Sequence, residues 1–231
     1  MPSAEPTNAL WLRTGDSRPG PRPGFTLDDI AATCVRLADA EGLRALSMRR
    51  VAEEIGTGAA SLYRYVSGKD DLLSLMYDRV AGECQFAPAT GDLRADVLDA
   101  AERTRDLYRR HGWLAEVRPG TLGPNGLRYL DHMVEILAPA GLDPAATMHG
   151  IAMISGWVTV FAGQEASGRA VDTTGGGAEH IAAMLALGDY PHLTALFGRS
   201  DAPAGVPVDN DAAFRAGIDA LLFGISGSAR Q

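Results

Sequence analysis

Lysine is almost missing from this chain of 231 residues: Lys69 stands alone among 21 basic side chains, the rest being arginine. Cysteine is nearly as scarce. Cys34 and Cys84 lie far apart and form no C-x-x-C pair, which excludes a disulfide scaffold and a thiolate zinc site and fits a reducing cytoplasm. No uninterrupted apolar run approaches the roughly 18 residues of a membrane span. The first 24 residues are charged and rich in Pro and Gly, without a signal-peptide core, so neither secretion nor a membrane partner is expected. Catalytic signatures are missing too. There is no G-x-S-x-G and no H-E-x-x-H, and His111, His132, His149, His180 and His192 show no metal-ligand spacing, so no enzyme, cofactor or metal is expected. The glycine-rich stretch Gly168 to Gly177 lacks the lysine of a phosphate-binding loop and reads as a flexible connector.

What is present is a large apolar content, 46% of residues, enough for a substantial core in one large or two small domains. Net charge is -8, and it is unevenly placed. Residues 1–80 hold 10 Lys+Arg against 11 Asp+Glu, leaving 11 against 18 for residues 81–231. Any polyanion would have to meet a local basic patch, and its binding would depend strongly on salt.

Leu46 to Asp71, LSMRRVAEEIGTGAASLYRYVSGKDD, carries the patch. Ser47 is placed to cap a helix whose inner face is Val51, Ala52 and Ile55, and Gly56 stops it. A second helix, about Ala59 to Val66, sets small and aromatic side chains around Leu62. A small residue at the helix contact, a glycine at the turn and apolar flanks are what a helix-turn-helix requires, and such a face can approach base edges and phosphates. Upstream, Thr26 and Asp29 form a capping-box pattern opening a helix to about Glu41, with a stripe of Ile30, Cys34, Leu37 and Ala38. Downstream, Lys69 begins a helix with Asp70 and Asp71 in its first turn and Leu72, Leu73, Leu75, Met76 and Val80 as its apolar positions.

The segment FTLDDIAATCVRLADAEGLRALSMRRVAEEIGTGAASLYRYVSGKDDLLSLM resembles the DNA-binding domain of the TetR (tetracycline repressor) family over about 50 residues without a visible gap. LSMRRVAEEIG and SLYRYVxxKDDLL are its specific parts. Leu10 to Gly24 is similar to the basic lead-in of one branch of that family, and RPGTLGPNGLRYLDHMVEIL to its ligand domain. The resemblance implies an all-α fold, with a helix-turn-helix head at 25–70 behind a flexible arm, 1–24, and a ligand-binding and dimerisation domain at 71–231. The DNA-binding residues it points to are Ser47, Arg49, Arg50, Gly58, Ala59, Ala60, Ser61, Tyr63, Arg64, Tyr65 and Lys69. Arg49 and Lys69 would meet phosphates. Arg18 or Arg22 of the arm could follow the minor groove.

Beyond Gly82 helical periodicity continues, with helices expected at Asp92–His111, Pro124–Ala138, about Ala145–Ala166 and Asn210–Gly224, and no strand. The third is apolar on nearly every face and should be buried on several sides. The family resemblance implies that it and the last helix form a four-helix core in a homodimer. Between Gly112 and Gly163, Trp113, Tyr129, Met133, Met153, Trp157 and Phe161 are cavity-lining types, and Arg118, Asn125, His132 and, just beyond, Gln164 are possible orienting groups for a hydrophobic or aromatic effector. The function expected is a repressor released from a palindromic double-stranded DNA operator by that effector. The alternatives are a helical small-molecule sensor whose helix-turn-helix is packing only, and an enzyme that transforms a small molecule.

Overall fold

The computed structural model describes residues 9–12, 24–167, 176–197 and 209–228, and among them every regular element is helical. The head begins with α2 (Leu27–Glu41), preceded by a short α1 (Ala9–Leu12). The Thr26 hydroxyl accepts the Asp29 N–H at 3.1 Å while the Asp29 carboxylate accepts the Thr26 N–H at 2.7 Å, a reciprocal capping box built with the shorter acid. In α3 (Met48–Ile55) Ser47 caps the start by accepting the Arg50 N–H at 3.2 Å. Gly56 ends it at φ 77°, where a side chain would be strained.

The recognition segment differs from expectation. α4 spans only Ala59–Leu62 rather than continuing to Val66. Past Leu62 the chain tightens into i→i+3 bonds, the Arg64 N–H donating to Ser61 O at 3.3 Å and the Tyr65 N–H to Leu62 O at 2.9 Å. This turn lays the Tyr65 ring against Phe25, centroids 4.7 Å apart, and buries Val66. α5 (Lys69–Ala81) then packs along α2, burying Leu72, Leu75, Met76 and Val80 against Ile30, Cys34 and Leu37.

The first 24 residues do not uniformly lack regular structure as expected. Leu10 of α1 is buried, and the Trp11 indole N–H donates to Thr121 Oγ1 at 3.1 Å. An apolar pair flanked by Pro/Gly-rich sequence has found a seat on the body of the protein. Arg18 and Arg22 lie outside the described residues.

The C-terminal body is built from α6 (Leu93–Arg110), a 3-10 turn at Gly112–Glu116, α7 (Pro124–Leu137), α8 (Pro144–Ser167) and α11 (Asn210–Ser228). α6 and α11 both pack on α8, around Ile151, Ile154, Val158, Phe214 and Ile218. Two further helices, α9 (Gly176–Leu187) and α10 (Pro191–Phe197), occupy sequence for which no helix was expected. Gly176 and Gly177 open α9 rather than ending a connector, while the connector's earlier residues, Gly168 to Gly175, lie outside the described residues.

The expectation that α8 is buried on several sides is not met within one chain. It is long and apolar enough to cross a membrane by length and composition, yet packs in the middle of a helical body. Its other face, with Met148, Met153 and Val160, is exposed, and so is Phe223 on α11, at 85%. One buried cation joins the three main helices. Arg105 of α6 donates through Nε to Glu165 Oε2 at 2.7 Å, pairs with Asp211 at 2.9 Å, and lies 4.5 Å from the centroid of Phe214. Glu165 is held below the usual carboxylate range by the Arg105 hydrogen bond.

Candidate nucleic-acid interface and cavity

Two sites lie at opposite ends of α5. At its N-terminus the head presents Gly58, Ala60, Tyr63 and Arg64 to solvent, Tyr63 with 55% of its surface free. This is a small-residue surface carrying one phenol and one guanidinium, open enough for a duplex groove to approach. Around it the arginines differ. Arg49 is largely exposed beside Glu53 at 3.4 Å, whereas Arg50 is held between Glu41 at 3.2 Å and Glu54 at 2.9 Å. Lys69 Nζ lies 3.4 Å from the Leu43 carbonyl, at the first turn of α5, and stays exposed.

At the other end of α5 is a partly enclosed cavity of about 50 Å³. Its walls are Tyr77 and Ala81 of α5, Thr104, Leu107 and Tyr108 of α6, Tyr129 of α7, Ser155 and Thr159 of α8, with Cys84, Phe86 and Leu114 closing it. The Tyr108 and Thr159 hydroxyls are hydrogen-bonded at 2.9 Å and those of Tyr129 and Ser155 at 2.8 Å. Burial pushes the Tyr77 and Tyr129 phenols up to about 12 and the Cys84 thiol up to about 11. No carboxylate or cation is among the lining residues, so the wall is neutral at ordinary pH and offers aromatic faces and hydroxyls. Phe86 forms one edge, stacked on His132 at 4.7 Å and tilted against Tyr129 at 5.8 Å.

A solvent-facing helix-turn-helix joined through α5 to a partly enclosed, largely apolar cavity is a regulator's layout. Residues 30–76 match the profile of bacterial regulatory proteins of the tetR family, and residues 87–228 that of the tetracyclin repressor-like C-terminal domain. The chain belongs to the TetR family.

TetR-family regulators bind DNA, dimerise and take small-molecule ligands, and the relatives found are regulators rather than enzymes. The chain is 43% identical over 153 residues to the HTH-type transcriptional repressor DrrR1 of Streptomyces coeruleorubidus, a match covering 64% of this chain and 57% of that one. It spans little more than half the length of that relative. Over 228 residues it is 34% identical to an HTH-type transcriptional regulator of Saccharopolyspora erythraea, covering 96% of this chain and 92% of the relative. Among solved structures, the TetR family protein ActR of Streptomyces coelicolor, in complex with actinorhodin, superposes with a TM-score of 0.69 at 31% identity, covering 87% of this chain and 95% of that one.

Within this TetR-family frame the residues singled out for DNA share the head. Ser47 and Gly58 are also helix caps, and Ala59, Ser61 and Tyr65 are half-buried behind Ala60, Tyr63 and Arg64. Those singled out for ligand are scattered. Tyr129 lines the cavity, and His132 touches it through Phe86. Trp113 is buried and donates its indole N–H to Asp39 Oδ1 at 2.6 Å. Asn125 is bonded to Asp78, Met133 lies in the core, and Trp157 and Phe161 pack toward Phe214. Arg118, Met153 and Gln164 face outward.

Sequence reasoning passed over Tyr77, Cys84, Phe86, Thr104, Leu107, Tyr108, Leu114, Ser155 and Thr159. Two signals were available. Ser155 and Thr159 are hydroxyls spaced i, i+4 in an otherwise apolar helix, and Thr104 and Tyr108 repeat that spacing on α6.

Proposed function

We propose that this chain is a homodimeric transcriptional repressor that binds a palindromic operator through paired recognition segments and is released by a small hydrophobic, aromatic effector entering the cavity. One observation carries the reading: α5 begins at the exposed Lys69, next to the helix-turn-helix, and, two turns on, supplies Tyr77 and then Ala81 to the cavity wall. Anything that widens the cavity must press on the helix that holds the head. Arg49, Arg50, Arg64 and Lys69 supply charge for phosphates, and Ser47 and the segment Gly58 to Tyr65 meet the groove. One such segment buries too little surface to select a site, so two copies are needed, reaching successive major grooves. The exposed apolar stripes of α8 and α11 are the surfaces for the second copy.

The effector class follows from the wall. A neutral lining with three phenols, two hydroxyl pairs and Phe86 favours an uncharged aromatic carrying hydrogen-bonding oxygens. At about 50 Å³ the cavity has room for only a few waters, so a larger aromatic ligand must push the walls apart. That expansion is the differential interaction by which the ligand favours a released state. The protein acts in the cytoplasm, where its DNA is.

Selection of bound fragments from random duplex DNA, repeated with actinorhodin as a first probe, tests the reading. A recovered inverted repeat, bound by a dimer and released by the probe or a related aromatic, supports it. Binding no better than to random duplex, with Tyr63→Ala leaving small-molecule binding intact, would instead favour a sensor whose helix-turn-helix is packing.

A further inference from the structure

α5 is not the only link between head and body. The last turn of the head's α2 carries Asp39, whose Oδ1 accepts the Trp113 indole N–H at 2.6 Å and lies 2.8 Å from His111 Nδ1. These partners are 74 and 72 residues away in sequence and belong to the body, His111 ending α6 and Trp113 lying in the 3-10 turn that follows. Both are buried, at 8% and 5% exposure, and their rings are in tilted contact at 5.8 Å. His111 Nε2 is further held 3.2 Å from Glu83, just beyond α5.

The same short stretch of chain walls the cavity. Leu107, Tyr108 and Leu114 face the cavity, while His111 and Trp113 between them face α2. A side chain pushed outward from the cavity on this stretch moves the two rings that grip Asp39. On the head side, α2 is tied to α3 by Arg36 to Glu54 at 2.7 Å and Arg50 to Glu41 at 3.2 Å, so a displaced α2 takes the helix-turn-helix with it. A head attached through one helix is free to rotate about that attachment. A second contact, in which two buried rings meet the partly exposed Asp39 carboxylate, sets its angle.

We infer that the Asp39–His111–Trp113 clasp is the coupling element that converts cavity expansion into reorientation of the head, with these three acting as positioning residues for DNA release. The inference rests on the function proposed above and adds the route. It requires that cutting the clasp leave DNA binding largely in place while abolishing its sensitivity to what fills the cavity.

The test is a double-mutant cycle that needs no identified effector. Ser155→Leu, and independently Thr104→Leu on the facing wall, put permanent bulk into the cavity. Asp39→Ala cuts the clasp, and Trp113→Phe cuts only the indole donor while keeping the packing. Affinity is measured for a duplex selected from random sequence, and amide hydrogen exchange of residues 43–66 is followed in the full-length chain. Each filler alone should weaken DNA binding about ten-fold, within the range of allosteric couplings, and speed exchange in 43–66. With the clasp cut, either filler should change affinity by less than about two-fold and leave that exchange unaltered. Filler and clasp effects that simply multiply, or fillers without effect in folded protein, overturn the inference. If no duplex is selected at all, the repressor reading fails, and the exchange data alone still decide the clasp.

Discussion

The carboxylate of Asp78 on α5 caps the first turn of α7 across the domain junction, accepting the backbone N–H of Asn125 at 2.9 Å and that of Gly126 at 3.0 Å. α7 has no side-chain cap of its own, since Gly123 precedes its opening proline. The Asn125 side chain donates back to the Asp78 carbonyl at 3.0 Å. Gly123 is required here, because a Cβ would lie 2.4 Å from Asp78 Oδ1 and 2.6 Å from the Trp11 ring.

Asp78→Ala should therefore cost about 2–4 kcal/mol, the loss of a cap plus two N–H groups left buried without partners. Asn125→Ala should cost only about 1 kcal/mol, one hydrogen-bonding side chain. Urea unfolding at neutral pH measures both. Asn125→Ala would also show whether this residue touches ligand, since a cap-side role leaves effector affinity unchanged.

The head should separate stability from DNA affinity. Tyr63 is exposed and packs on little, so Tyr63→Ala should move the melting temperature by under about 2 °C while lowering affinity for selected duplex at least ten-fold, in line with a lost contact of 1–3 kcal/mol. Lys69→Ala should weaken binding to all sequences alike and reduce the slope of log affinity against log salt by about 1. An unchanged slope would remove Lys69 from the phosphate contacts.

Signals confined to a few neighbouring residues were legible in the sequence. Thr26 with Asp29, Ser47 before α3 and Gly56 at positive φ each act within one helix turn, and the structure places them as read. Features decided by distant partners were not. α4 ends early because Tyr65 packs at a tilt against Phe25 and Val66 is drawn into the core. Trp113 looks like a cavity aromatic until Asp39, 74 residues earlier, claims its N–H. The cavity itself is assembled from four helices and their connections, and its most informative members are hydroxyls whose meaning appears only when the tyrosines face them.

Cys84 gives the cavity a chemical reporter. Its thiol is pushed up to about 11 by burial, and the thiolate is the reactive form, so alkylation by iodoacetamide at pH 7.5 should be more than about a hundred-fold slower than for an unperturbed thiol. The rate should climb steeply toward pH 10–11. Cys34, fully buried and pushed up to about 12, should stay silent until the head unfolds. A cavity ligand should protect Cys84 in proportion to its occupancy. Mass spectrometry of the labelled peptides reads all three, and rapid modification of Cys84 at neutral pH would show that the cavity opens freely to solvent.

The Arg105 network should make the body acid-sensitive. Glu165 is held below the usual carboxylate range chiefly by the Arg105 hydrogen bond, so its ionised form is favoured in the folded state. A depressed folded-state value means the stabilisation is complete above the unfolded value of about 4.3 and is lost as pH falls from there through the folded one. Glu165→Gln should cost about 3 kcal/mol at pH 7, because Arg105 stays buried with only the exposed Asp211 as a full counter-charge. That difference should shrink steadily below pH 4, as the wild-type carboxyl takes up its proton and comes to resemble the amide. Denaturant melts of the two proteins at pH 7, 5, 4 and 3 measure the gap, and a gap independent of pH would mean that Glu165 stabilises by packing rather than by its charge.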